Sequence, residues 1–182
     1  MDRFARVILG YHGCEVEFAN SLLSGETSIQ DWEPSQNSYD WLGHGIYFWE
    51  HAPQRAREWS RARKNKGVIG AVIQLGLCLD LTEVRFTQRL SLEYGRLVGL
   101  DLGYARSLPA NRGKLRDLDC FVINTLVKTS AKVSDPFQSV RCPFLEGEPA
   151  FPGSDILRES HIQISVIDRE CILGVFRPNF SD

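Results

Sequence analysis

No apolar run in this chain of 182 residues approaches the roughly 18 needed for a helix to cross a bilayer, so no membrane span is expected. Met1 to Leu9 lacks the apolar stretch of a signal peptide, and a soluble, cytoplasmic protein is expected. No CxxC pair occurs among the five cysteines, Cys14, Cys78, Cys120, Cys142 and Cys171, so a metal site has no support in the spacing. Their odd number points to a reducing compartment, and Cys78, Cys120 and Cys171 lie among apolar residues as small core side chains do. Nor is there an excess of positive charge. The formal net charge is −2, which argues against wholesale binding to a nucleic acid backbone. One local basic run, Arg55, Arg57, Arg61, Arg63, Lys64 and Lys66, falls in a helical pattern and reads first as a solvated helix face. Internal repeats and low-complexity linkers are also missing.

What is present is an ordinary globular balance, 43% hydrophobic and 24% charged, over a length that suits one domain spanning residues 1–182. The run Val7 to Tyr11 predicts a buried strand feeding a turn at His12-Gly13. Glu15 to Leu23 has helical spacing and meets Gly25, a stop signal. Ser24 to Tyr39 is polar, carries Pro34 and predicts a loop. A turn then leads into a strand at Ile46-Tyr47-Phe48, and Pro53 opens a helix to about Lys64. Val68 to Leu81 predicts a strand, Thr82 to Leu100 a helix and Asp117 to Lys128 a second core helix. Further strands are predicted at Ser139–Arg141, His161–Ile167 and Cys171–Phe176, with a Pro/Gly loop from Glu146 to Ser154. The fold class is mixed α/β (α+β).

Three separated segments put polar or aromatic groups at a strand end or along one strand face. They are Tyr11-His12-Gly13, Gly43-His44-Gly45-Ile46-Tyr47-Phe48 and His161-Ile162-Gln163-Ile164. Glycine in the first two lets the backbone come close to a ligand. A strand ending in His-Gly, followed after a loop by Gly-x-Gly-Ile-Tyr-Phe and a helix, resembles the NAD-binding signature of ADP-ribosyltransferases of the diphtheria toxin and poly(ADP-ribose) polymerase class.

The resemblance implies an ADP-ribosyltransferase-like fold, two packed, mainly antiparallel sheets with flanking helices, and NAD as co-substrate. It implies that Tyr11, His12, Gly13, Gly43, Gly45 and Tyr47 belong to the cofactor site. His12 would hold a ribose hydroxyl, Gly13 would offer its backbone to the nicotinamide amide, Tyr47 would stack on the ring, and Gly45 would let the chain pass close. Trp59 would complete a ring sandwich. Chemistry agrees: cleaving the nicotinamide–ribose bond needs a fixed leaving ring, a held ribose and a hydrogen-bond acceptor near the 2′-hydroxyl. The family supplies that acceptor as a glutamate on a late strand. Here the outward residues of that strand are His161, Gln163 and Ser165, so Gln163 takes the equivalent position, with Glu159 and Glu146 as rivals. Glu146, Ser154, His161 and Gln163 form the candidate group.

An amide there points to transfer of single ADP-ribose units onto a protein or nucleic acid rather than polymer synthesis. The resemblance further implies a bacterial toxin or phage-defence effector, with an antitoxin or immunity partner. An NAD glycohydrolase and a non-catalytic module that binds NAD or ADP-ribose are the alternatives. Phe48 reads as core, Trp41, Trp49 and, as the alternative to its place in the sandwich, Trp59 as packing, Asp119 and Asn124 as structural, and His44 as solvent-facing. Arg141 is left between an NAD phosphate and Asp119, and Cys14 reads as inert.

Overall fold

A computed structural model describes residues 6–64, 66–104, 108–133 and 136–180. In chain order the elements are β1 (Val7–Glu15), α1 (Val16–Ser24), β2 (Ile46–Glu50), α2 (Pro53–Ala62), β3 (Lys66–Gln74), β4 (Cys78–Asp80), α3 (Val84–Tyr104), α4 (Asp117–Val133), β5 (Ser139–Phe144), β6 (His161–Val166) and β7 (Ile172–Phe176). Short 3₁₀ turns lie at Ile29–Asp31 and Arg169–Cys171. Local chemistry sets several boundaries. Gly25 closes α1 in the left-handed conformation (φ 79°), its N–H reaching the Leu22 carbonyl, and Pro53 occupies the first turn of α2. Among the described residues no helix is long and apolar enough to cross a membrane.

The seven strands form one mixed sheet in the order β4-β5-β6-β2-β1-β3-β7, and only the β4–β5 pair is parallel. The expectation of two packed sheets is therefore corrected. Two registered pairs, Gly10↔Glu50 and Tyr11↔Trp49, join β1 to β2 and make the two halves continuous. Two strand limits also differ from expectation. β1 runs on through His12 and Gly13 because β3 supplies a partner for every residue from Val7 to Glu15. The stretch Val68–Leu81 is broken at Gly76 (φ 59°), which ends β3 and lets the chain turn into β4.

Residues alternate across β2, and this one strand serves both faces of the sheet. Ile46 and Phe48 point into a core with Trp32, Ile69, Ile73, Ile164 and residues of α1, and Phe48 is 0% exposed. Tyr47 points the other way, against a second core in which Leu79 and Val140 meet Phe86 of α3 and Ile123 and Leu126 of α4. Helix α2 covers β1 and β3 on that same second face: Tyr11 and Trp49 are cross-strand partners, and Gly13, two residues past Tyr11, lies directly under Ala56 and Trp59. Between α2 on one side and α4 with the 33–45 segment on the other, the sheet is left open.

Candidate active site

That opening is a groove of about 530 Å³, within the usual roughly 300–1,000 Å³ of small-molecule sites. Its lining includes His12, Gly13, Gly45, Tyr47, Trp59, Glu146 and Gln163. Residues 35 and more positions apart in the chain thus share one cleft.

The groove sits where β1 and β2 part. The Leu9 carbonyl accepts from His51 N–H, so odd-numbered residues of β1 turn their backbone polar groups toward β2. Tyr11 pairs with Trp49, and Gly13 lies beyond the last registered pair. In a continued ladder the Tyr47 carbonyl would face Gly13 N–H. His12 takes that carbonyl instead, donating from Nδ1 over 2.7 Å. The Gly13 N–H and C=O therefore line the split without a β2 partner. A carbonyl only accepts, so Nδ1 carries the proton and Nε2 is the acceptor of a neutral ring. Burial drives the His12 pKa below its ordinary value, outweighing the hydrogen bond to Tyr47 that raises it. The ring stands edge-on to Trp32, centroids 5.0 Å apart, and 5.8 Å from Phe48.

Tyr47 is fixed at its far end. Its hydroxyl accepts from Leu42 N–H and donates to the Gly43 carbonyl, both at 2.7 Å. Burial pushes that hydroxyl's pKa far up, so it stays a phenol. Gly43 has φ 73°, and a Cβ there would strike the Asn124 amide, whose oxygen accepts from His44 N–H at 2.9 Å. Asn124 is structural, as expected, while Gly43 and His44 shape the turn and stay outside the groove lining. Gly45 lines the groove, yet what its missing side chain admits is β6: a Cβ would overlap Ser165 Oγ and lie 2.8 Å from the Val166 carbonyl. Trp59 projects from α2 beside Trp49, centroids 5.7 Å apart, with the Arg63 guanidinium over it at 4.2 Å.

The late strand and the loop before it close one end. Glu159 N–H bonds the Glu146 carbonyl, which sets the two glutamates across the base of a hairpin. Both pair with Arg55 of α2, at 3.1 Å from Glu146 and 3.4 Å from Glu159. Glu146 lines the groove and Glu159 lies outside its lining. His161 donates from Nδ1 to the Glu159 carbonyl at 2.7 Å, and its Nε2 lies 3.0 Å from the Gln163 amide nitrogen.

Several expected placements differ. Tyr11 shares the α2 face with Gly13 but lies outside the groove lining, because its ring stands edge-on to Phe176, which packs over Gly70 of β3. Ser154 is consumed within its own loop, its Oγ accepting from Ile156 N–H at 3.1 Å, outside the groove lining. Arg141 meets neither a groove nor Asp119. It forms ion pairs with Glu50 at 2.6 Å and Asp80 at 3.2 Å. Burial raises the Cys14 thiol to about 11, helped by the Glu15 charge, in keeping with an unreactive cysteine.

Sequence reasoning missed one wall. Glu33, Ser35, Asn37 and Asp40 line the groove, and Trp32 buries itself behind His12. Trp32, a large aromatic in an otherwise polar stretch, signals that this segment is anchored to the domain but not which face it covers. No model of a known protein family matches the chain, and no curated protein matches it.

Proposed function

We propose that the groove binds NAD and that the protein is an ADP-ribosyltransferase moving single ADP-ribose units onto a macromolecular acceptor. The observation that carries this reading is the split between β1 and β2. There, His12 takes the carbonyl that Gly13 would otherwise pair with, leaving a backbone donor and acceptor together beside the Tyr47 ring. A primary carboxamide needs that pair: its N–H donates to the Gly13 carbonyl while its oxygen accepts from Gly13 N–H. A flat aromatic amide adds stacking on Tyr47, with Trp59 across the groove. The His12 Nε2 acceptor suits a ribose hydroxyl, and Gln163 brings a polar group to the same ribose. Burial of the leaving ring, with the ribose held on both sides, favours loss of nicotinamide and attack by an acceptor nucleophile at the anomeric carbon.

The neutral Gln163 side chain favours a second reading, NAD binding without cleavage. One assay separates the two, and also a glycohydrolase that uses water. The protein is incubated with NAD labelled in its adenylate part, with cell protein, RNA and DNA as separate pools. Label entering one pool together with nicotinamide release supports transfer and names the acceptor class. Nicotinamide release without label in any pool assigns a glycohydrolase, and NAD binding with no release assigns the binding module.

A further inference from the structure

We infer that His161 is a positioning residue: it fixes which end of the Gln163 amide is offered to the groove. This rests on the proposal that Gln163 meets the ribose of NAD. The Glu159 carbonyl, 2.7 Å from His161 Nδ1, accepts only, so Nδ1 holds the proton. In the neutral ring Nε2 is then an acceptor, and its partner at 3.0 Å must be an N–H. The Gln163 side chain has its NH₂ there, which turns Oε1 away from His161. Gln163 lines the groove, whereas the His161 side chain is 1% exposed and takes no part in the groove lining. His161 therefore acts through Gln163, passing the polarity of a backbone carbonyl along one hydrogen-bonded file.

The surroundings of His161 keep the file in register. Phe144 of β5 and Trp49 of β2 flank the ring, with centroids 6.0 and 6.4 Å away. The charged neighbour facing it is Glu146, 3.8 Å from Nδ1, itself held by Arg55 of α2. Without the imidazole acceptor nothing distinguishes the two ends of the amide, and an NH₂ turned outward would offer a donor where a hydroxyl needs an acceptor. A carboxylate at 163 would present an oxygen in either orientation and would not need His161.

The test uses nicotinamide release from NAD by four full-length proteins: wild type, His161→Phe, Gln163→Glu and the double variant. Phenylalanine keeps the ring between Phe144 and Trp49 but removes the acceptor. His161→Phe should lower kcat by about 10- to 100-fold, with KM for NAD changed less than about threefold. In the Gln163→Glu background the same change should cost less than about threefold. Equal losses in both backgrounds, or no loss in the first, would overturn the proposal. A wild type that binds NAD but releases no nicotinamide would defeat the proposed transferase, not the hydrogen-bonded file. The file is read separately, from the ring ¹⁵N spectrum of His161 in the wild-type protein. The Nδ1–H tautomer is expected, and an Nε2–H tautomer would overturn it even if the enzyme were active.

Discussion

The two residues that meet at the split of the sheet make separate demands on their surroundings. Tyr47 spends its hydroxyl on Leu42 N–H and the Gly43 carbonyl, so the ring is anchored by the loop it supports. Tyr47→Phe keeps the stacking face and orphans the backbone N–H of a buried residue. Chemical denaturation should register a loss of about 1–3 kcal/mol. Tyr47→Ala should abolish measurable NAD binding in a titration, and an unchanged affinity would remove the ring from the site. His12 carries a pH signature. Its folded pKa lies below the ordinary 6.5, so near that pH the unfolded chain binds more protons than the folded one. Stability contributed by the neutral, buried ring is complete above that value and declines as pH falls through it. Unfolding free energy measured from pH 8 to 5 should therefore fall more steeply in the wild type than in His12→Gln; equal slopes would contradict the assignment. Above pH 6.5 the Nε2 acceptor persists, so NAD affinity should stay flat there.

At the level of elements, the groove exists because α2 rides directly on β1. A Cβ at Gly13 would lie 2.9 Å from the Ala56 carbonyl oxygen and 2.9 Å from Trp59. The carbonyl belongs to the helix backbone and cannot swing aside, so Gly13→Ala must push α2 outward. Expected are a loss of about 1–3 kcal/mol and weaker NAD binding, measured on the same samples by thermal unfolding and titration calorimetry. Wild-type values for both would mean that helix and strand are not in this close contact. This seam also marks what could be read in advance. The elements themselves were legible, since apolar periodicity, Pro53 and Gly25 are local signals. The placing of His12 and Tyr47 in one cleft was legible too, because His12-Gly13 and Gly43-His44-Gly45-Ile46-Tyr47 each set a ring close to glycine. The polar wall from Glu33 to Asp40 was not, because loop composition says nothing about which surface a loop packs on. Tyr11 was misplaced for a related reason: its ring packs on Phe176 of β7, a partner far along the chain that no local pattern announces. Arg141 was open for a third, since its partners lie 61 and 91 residues away.

Across the whole molecule, those partners tie together what the hydrogen-bond ladder joins only at its margins. Asp80 ends β4 with its side chain 1% exposed, and it takes Arg6 from before β1 at 2.7 Å and Arg141 from β5 at 3.2 Å. Arg141 continues to Glu50 at the end of β2, the residue paired with Gly10 where the halves of the sheet meet. One chain of charges thus spans β4, β5, β2 and the segment leading into β1. Burial alone would raise the Asp80 carboxyl, but hydrogen bonds from Thr82 and Arg6 and the charge of Arg141 overrule it and hold the pKa below its ordinary 3.8. A depressed carboxylate contributes stability that is fully present above the unfolded pKa and is lost as pH falls through the folded one. Asp80→Asn removes the charge and keeps the shape, leaving Arg141 with Glu50 alone. At pH 7 the variant should be less stable by about 3 kcal/mol. Below about pH 4 the wild type should lose that advantage while the variant has none to lose, so their unfolding free energies should converge. Two parallel curves from pH 7 to pH 2 would mean that the file of charges is decoration on the sheet, and that the two registered pairs of β1 and β2 hold its halves together unaided.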